Sequence, residues 1–163
     1  VIISLLAALD EKGGIGRQGG MPWHLSDDLK HFRRLTRGHH VLMGRKTYDT
    51  VAGKLPGRHL LVLSQNPAFQ PGDAQVFTAF DAAVAAAQAA GEQELFVIGG
   101  AQVFARAVPL AQRFYLTRVA VDAGCDVFFP PFDLNDWQEL DRHSFAAGGK
   151  NQYAFTITTL VRK

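Results

Sequence analysis

In the segment SDDLKHFRRLT, Asp28, Phe32 and Leu35 fall at i, i+4 and i+7, so at helical spacing a carboxylate heads a stripe that should be wholly apolar. Asp27, Lys30, Arg33 and Arg34 take the outer positions. An inward acid has two uses: it caps its own helix or pairs with a buried arginine, or it binds a ligand from an apolar pocket that raises its pKa. A second constellation is glycine. The stretch GGIGRQGGMPW places Gly14, Gly16 and Gly19 at GxGxxG spacing, the mark of a dinucleotide pyrophosphate site. Such a site needs glycines that open a helix directly, so that phosphate meets free backbone N–H groups. Here Gly20, Met21, Pro22, Trp23 and His24 intervene before Ser26, and the acid expected about twenty residues further on is missing. Arg45-Lys46 follows instead, and that pair suits a 2′-phosphate. Better anion cradles are ELFVIGGAQVF, where a strand meets Gly99-Gly100 and then a helix at once, and Arg45 to Thr47, which opens another helix after a strand. Two glycines after a strand also serve tight packing alone.

The elements that would position these groups can be read from periodicity. IISLLAAL is a continuous apolar run, which predicts a central strand covered on both faces. Ser26 is the expected N-cap of a helix running to about Gly38, with Asp27 and Asp28 in its first turn. Strands are expected over HVLMG, HLLVLS, AQVF and ELFVI, with helices over RKTYDTVA, FDAAVAAAQAAG and AQVFARAV. The alanine-rich helix reads as one with a solvated face. This alternation predicts a mainly parallel sheet with helices on its faces. RFYLTRVAV, DWQELDRHSF and NQYAFTITTLV are strands without intervening helices, the last two joined by AAGGK as a hairpin, which adds an antiparallel margin.

Composition bounds the function class. The chain has 163 residues, 47% hydrophobic and 20% charged, with a net charge of +2. It fits one domain, residues 1–163, without the strongly basic surface of a dedicated nucleic-acid binder. A single cysteine, Cys125, excludes an internal disulfide framework and points to the cytoplasm. The apolar N-terminal run is too short for a membrane span and lacks the basic flank of a signal peptide. His39-His40 would point to opposite faces of a strand, and the histidines show no metal-ligand spacing, so no metal is expected.

Taken in order, ISLLAAL, GIG, MPWHLSDDLKHF, VLMGRKTY, LPGR, VLS, FVIGGAQVF, FYLT and CDVFFP resemble the chromosomal bacterial dihydrofolate reductases over essentially the whole chain. The resemblance implies a three-layer α/β fold: an eight-stranded, mainly parallel sheet with an antiparallel C-terminal strand, flanked by four helices. It implies NADPH-dependent reduction of 7,8-dihydrofolate to tetrahydrofolate in support of one-carbon metabolism, with hydride delivered to pterin C6 and a proton to N5. Asp28 matches the acid of the pterin pocket and Thr117 the hydroxyl sharing its network, with Trp23 beside the water that serves the acid and Met21 on the lid near nicotinamide. Leu6, Ala7, Leu29, Phe32, Val51, Leu55 and Ile98 match the apolar slot for substrate, and Arg58 the group that binds the glutamate α-carboxylate. For the cofactor, Ala8, Ile15, Gly16, Gly19 and Gly20 match the nicotinamide side. Gly44, Arg45, Lys46 and Thr47 match the phosphate positions, and Ser64 and Gln65 the adenosine side. Ile98, Gly99, Gly100, Ala101, Gln102, Val103 and Phe104 match the pyrophosphate strand end and helix, where the family's Gly-Gly peptide is cis. In this reading Gly13 to Trp23 is a lid hinged by its glycines. Gln65 stands where many members carry Ser, Thr or Arg, Gln102 where some carry Arg, Phe104 where tyrosine is usual, and Cys125 where glycine is common. Small-molecule substrate and antifolate inhibitors are the implied partners, and the family is usually monomeric. Two competing classes are a pyrimidine reductase of riboflavin synthesis on the same fold and a nucleotide- or RNA-binding module.

Overall fold

Ile2–Leu9 (β1) is buried on both faces along most of its length, as an uninterrupted apolar run requires. The computed structural model describes residues Val1–Lys163. After β1 come Gly14–Gly16 (β2), Ser26–Thr36 (α1), His40–Gly44 (β3), Arg45–Val51 (α2), His59–Leu63 (β4), Ala74–Phe77 (β5) and Phe80–Ala89 (α3). Glu94–Val97 (β6), Ala101–Ala107 (α4), Arg113–Val119 (β7), Val127–Phe128 (β8), Trp137–Phe145 (β9) and Phe155–Arg162 (β10) complete the chain. Eight strands form one sheet in the order β5-β4-β3-β6-β1-β7-β10-β9. Neighbours are parallel except that β10 runs antiparallel to both β7 and β9. The expected sheet and four helices are therefore the observed ones.

Right-handed crossovers decide which helix lies on which face. The steps from β1 to β3 and from β3 to β4 go one way along the sheet and carry α1 and α2. Those from β5 to β6 and from β6 to β7 go the other way and carry α3 and α4. The two cores agree. Phe80, Ala83 and Ala87 of α3 and Val103, Phe104 and Ala107 of α4 pack with Leu5, Leu42, Leu61 and Val97. On the opposite face Tyr48 of α2 packs with Val41, Met43, Leu60 and Val62. There Phe32 and Leu35 of α1 also lie against Leu6, Phe96 and Tyr115.

Several local expectations are corrected. Ser26 is the first helical residue and not the cap of α1; Leu25 takes that position without a side-chain bond. The helix's free donors are met from the far end of the chain: Ser26 N–H donates to Lys150 O (3.1 Å) and Asp27 N–H to Asn151 Oδ1 (3.1 Å). The helix also stops at Thr36, short of Gly38, and the final strand begins at Phe155, after a turn over the preceding residues. A small β2–β8 ribbon, pairing Gly14 with Phe128 and Gly16 with Val127, was not anticipated. No helix is long and apolar enough to cross a membrane.

At the edge remote from the strands' C-terminal ends, Glu92 ties β3 to β6. Its carboxylate lies 2.9 Å from His39 Nδ1 and 2.8 Å from His40 Nδ1 and accepts the His40 and Glu94 backbone N–H groups. Burial works to raise its pKa, but these bonds outweigh it and hold the group at about 2. Because the folded value lies below the unfolded one, its stabilisation is complete above about pH 4.5 and is lost as pH falls towards 2. Glu92→Gln is expected to lower stability at pH 7 by about 2–3 kcal/mol and to flatten the acid limb of stability against pH, read from urea unfolding across that range.

Candidate active site

The inward carboxylate is where the helical stripe put it. Asp28, in the first turn of α1, is aimed at the sheet, where Thr117 Oγ1 of β7 donates to Asp28 Oδ1 at 2.7 Å. Thr117 is 2% exposed, so the Thr117 end of the pair lies deep on the α1 face of the sheet. Burial pushes the Asp28 pKa up, and the Thr117 bond only partly offsets it. Apolar side chains cluster on the same face of the sheet. Leu6 is buried, while Phe32 and Ile98 are partly buried against the same cluster. Val51 and Leu55 pack against the α2 cluster, which Ile98 also touches. Leu29 remains 38% exposed and Met21 58% exposed, so both present apolar surface outward. Trp23 is buried among Leu25, Val119, Phe155 and Ile157, with Ala8 against them, and its indole N–H has no acceptor within the chain. Ala7 does not join this slot: its methyl follows strand alternation to the α3–α4 face.

Arg58 is held at the other end of α1. Its Nε donates to Thr36 Oγ1 (2.9 Å), Nη2 to Arg33 O (2.8 Å) and Nη1 to Pro56 O. Partial burial lowers its pKa, and Arg37 and Arg33 add to the effect. Three guanidinium groups thus share one corner, a setting in which an anion is welcome. The geometry also gives Arg58 a structural task that its type alone did not reveal.

The anion cradles expected from sequence are brought side by side. β3 and β6 are neighbours, and just past their C-terminal ends Gly44 N–H donates to Gly99 O at 2.9 Å. The Gly99-Gly100 peptide is cis. A Cβ on Gly44 would lie 3.4 Å from Val103 Cγ2, and one on Gly99, at φ +133°, would lie 3.3 Å from Thr47 Oγ1. The crevice is floored by bare backbone because side chains would fill it. Arg45, Lys46 and Gln102 are exposed around it, Ala101 and Thr47 half-buried. This donor set fits the two phosphate groups of a dinucleotide and an extra phosphate on its ribose. Val103 and Phe104 turn into the core, the latter 4.8 Å from the Phe129 ring. Ser64 directly follows β4 and accepts the Asn66 N–H at 3.2 Å, while the Gln65 amide donates to Thr78 O at 2.6 Å.

The glycines of the opening loop have distinct jobs. Gly19 has φ +80° and needs glycine for that reason. Gly16 does not, since an added Cβ there would meet Val127 and Gly20 at an ordinary 3.6 Å. Gly14 is different again: a Cβ would fall 2.3 Å from the Cβ and 2.5 Å from the Sγ of Cys125, too close for both to fit. Gly20 is exposed, and Ile15 is partly buried against the main core. The loop is pinned through Asp10, which sequence reasoning passed over. Its carboxylate, 1% exposed, accepts from Gly14 N (2.7 Å), Lys12 N (2.9 Å) and Ala123 N (3.1 Å). An acid at a strand end followed by glycines is the signal of such a turn. Further along, Gln18 N–H donates to Asp126 Oδ2 (3.0 Å) and Asp126 N–H to Gly16 O (3.0 Å). Burial and the neighbouring Asp10 push the Cys125 thiol up to about 11, which leaves it unreactive.

These features have close counterparts. A family model described as dihydrofolate reductase matches residues 2–162. The type 3 dihydrofolate reductase of Salmonella typhimurium is 40% identical over 163 residues, with 100% of this chain and 99% of that protein covered. The dihydrofolate reductase of Bacillus subtilis is 32% identical over 162 residues, covering 99% and 95%. Among solved structures, dihydrofolate reductase from Enterococcus faecalis complexed with NADP(H) and RAB-propyl superposes with a TM-score of 0.90 at 30% identity, covering 99% of this chain and 96% of that one. Matched by the family model over residues 2–162 and 40% identical to a relative covered almost end to end, this protein belongs to the dihydrofolate reductase family.

Proposed function

We propose that this chain reduces 7,8-dihydrofolate to 5,6,7,8-tetrahydrofolate with NADPH, working as a monomer in the cytoplasm. The observation that carries the reading is a lone carboxyl, Asp28, held by Thr117 at 2.7 Å beside an apolar slot. Bound NADPH supplies the hydride that reaches pterin C6. The rest of the chemistry falls to the protein. Asp28 grips the pterin 2-amino group and N3, and a pKa raised by burial suits it to assist protonation at N5 through water. Thr117 fixes the carboxyl's orientation, and the Trp23 N–H, free of any protein acceptor, serves the same water. Phe32, Leu6, Leu29, Val51, Leu55 and Ile98 sandwich the flat rings and exclude solvent. Arg58 takes the glutamate carboxylate with the N–H groups it has not committed to Thr36, Arg33 and Pro56. The cofactor's phosphates are assigned to Gly99, Gly100, Ala101 and Gln102 on one side and to Gly44, Arg45, Lys46 and Thr47 on the other, with Ser64 and Gln65 at its adenosine end. Ala8, Ile15, Gly20 and Met21 are assigned to the nicotinamide. A pyrimidine reductase would have no use for Asp28, Phe32 and Arg58 together.

The direct test is the absorbance loss of NADPH with and without dihydrofolate, repeated with NADH. Oxidation should require dihydrofolate and be blocked competitively by a diaminopyrimidine antifolate; oxidation indifferent to dihydrofolate would sink the proposal. Asp28→Asn is expected to lower turnover at pH 7 on the order of 100-fold. The same variant should melt higher. A folded pKa above the unfolded one means that the acid's contribution is complete at low pH and is lost as pH rises through the folded value, so the variant's advantage should grow as pH rises above the ordinary carboxylate range. Gly19→Ala, which strains a left-handed residue, should reduce kcat more than it raises the KM for NADPH, whereas Gly16→Ala should be nearly silent. Equal losses in kcat and KM for Gly19→Ala would contradict a lid.

A further inference from the structure

The loop between β4 and β5 carries an aromatic ring to which the reading above gives no role. Arg45 sits over it, its Cζ 3.8 Å from the centroid of Phe69, while its Nε donates to Asp49 Oδ1 at 3.0 Å. The ring is itself held. Tyr48 meets it edge-on at 5.5 Å and 69°, and the Tyr48 hydroxyl donates to Asp73. The loop is folded back on itself by two side-chain acceptors and one backbone bond: Asn66 N–H to Ser64 Oγ (3.2 Å), Ala68 N–H to Asn66 Oδ1 (3.0 Å) and Phe69 N–H to Asn66 O (3.1 Å). Arg45, Tyr48, Asp49, Asn66, Phe69 and Gln70 border an open cavity of about 390 Å³.

An exposed arginine ordinarily must lose its rotamer freedom when it meets an anion, and that loss is subtracted from affinity. Here one ring face and one Nε bond have already fixed the guanidinium plane. Asp49 occupies only Nε, so the Nη edge keeps its paired donors for a bidentate partner. Lys46, next in the chain and exposed, adds a point charge. We propose that Phe69 is a specificity-determining positioning residue, the shelf that presents Arg45 to the 2′-phosphate and so sets preference for NADPH over NADH. This rests on the proposed placement of the cofactor.

The test separates the phosphate from the rest of the nucleotide. Binding of 2′,5′-ADP and of 5′-AMP is measured by calorimetry for the unsubstituted chain, Phe69→Leu, Phe69→Ala and Phe69→Tyr, alongside KM values for NADPH and NADH. Leucine keeps the apolar packing and removes the π face. Phe69→Leu and Phe69→Ala should weaken 2′,5′-ADP about threefold, leave 5′-AMP unaltered and raise the KM for NADPH but not for NADH; tyrosine should restore both. Equal weakening of the two nucleotides would make Phe69 a packing residue, and no change in either would leave Arg45 indifferent to it; each result overturns the proposal. Dihydrofolate-dependent oxidation of NADPH by the unsubstituted chain is scored separately, so failure of the shelf is not confused with failure of the proposed reaction.

Discussion

The layout depends on one constraint: β3 and β6 are parallel neighbours whose right-handed crossovers depart in opposite directions. Helices α2 and α4 must then start side by side at the strands' C-terminal ends and diverge to opposite faces. Such a point leaves a crevice no connection can cover. Backbone fills it here, through Gly44, Gly99 and Gly100, and the Gly44–Gly99 hydrogen bond of 2.9 Å closes its floor. The extended, charged ligand of this family has its natural seat there.

The acid depends on a different restraint. Asp28 is disfavoured as an ion where it sits, so the helix carrying it must be held by interactions made elsewhere. Helix α1 is fastened at both ends by distant segments. Asn151 and Lys150 meet its first N–H groups, and Asn151 Nδ2 also donates to Asp27 Oδ2 at 2.7 Å. Arg58 meets one carbonyl of its last turn, Arg33 O, and the Thr36 hydroxyl. A helix so restrained keeps an uncomfortable charge in place without relying on its own propensity.

Much of this was legible in the chain and some of it was not, for physical reasons. Strands β1, β3, β4 and β6 are apolar runs bounded by charge or glycine, and both faces of a parallel sheet must be covered, so composition alone marks them. Asp28 was visible because a helical stripe tolerates few carboxylates. The cap of α1 was invisible because its donor groups bond to a residue 124 positions away, and local rules then favoured Ser26. The β2–β8 ribbon has few residues and little pattern, and its partner lies across the fold. The cis peptide came from the resemblance, since no residue type announces it. Arg58 was legible as an anion binder, but its carbonyl bonds require knowing where α1 ends. Ala7 entered the apolar slot through the resemblance, whereas strand alternation turns its methyl to the α3–α4 face.

The contact between Gly14 and Cys125 bears on how such a chain can vary. A side chain at position 14 would occupy the space that the thiol fills, so the two positions share a single volume divided between the opening loop and the segment that backs it. Bulk can reside on either strand of that contact but not on both. The loops are therefore joined by excluded volume as well as by hydrogen bonds, and substitution at one site sets what the other can accept, with no charge or bond passing between them.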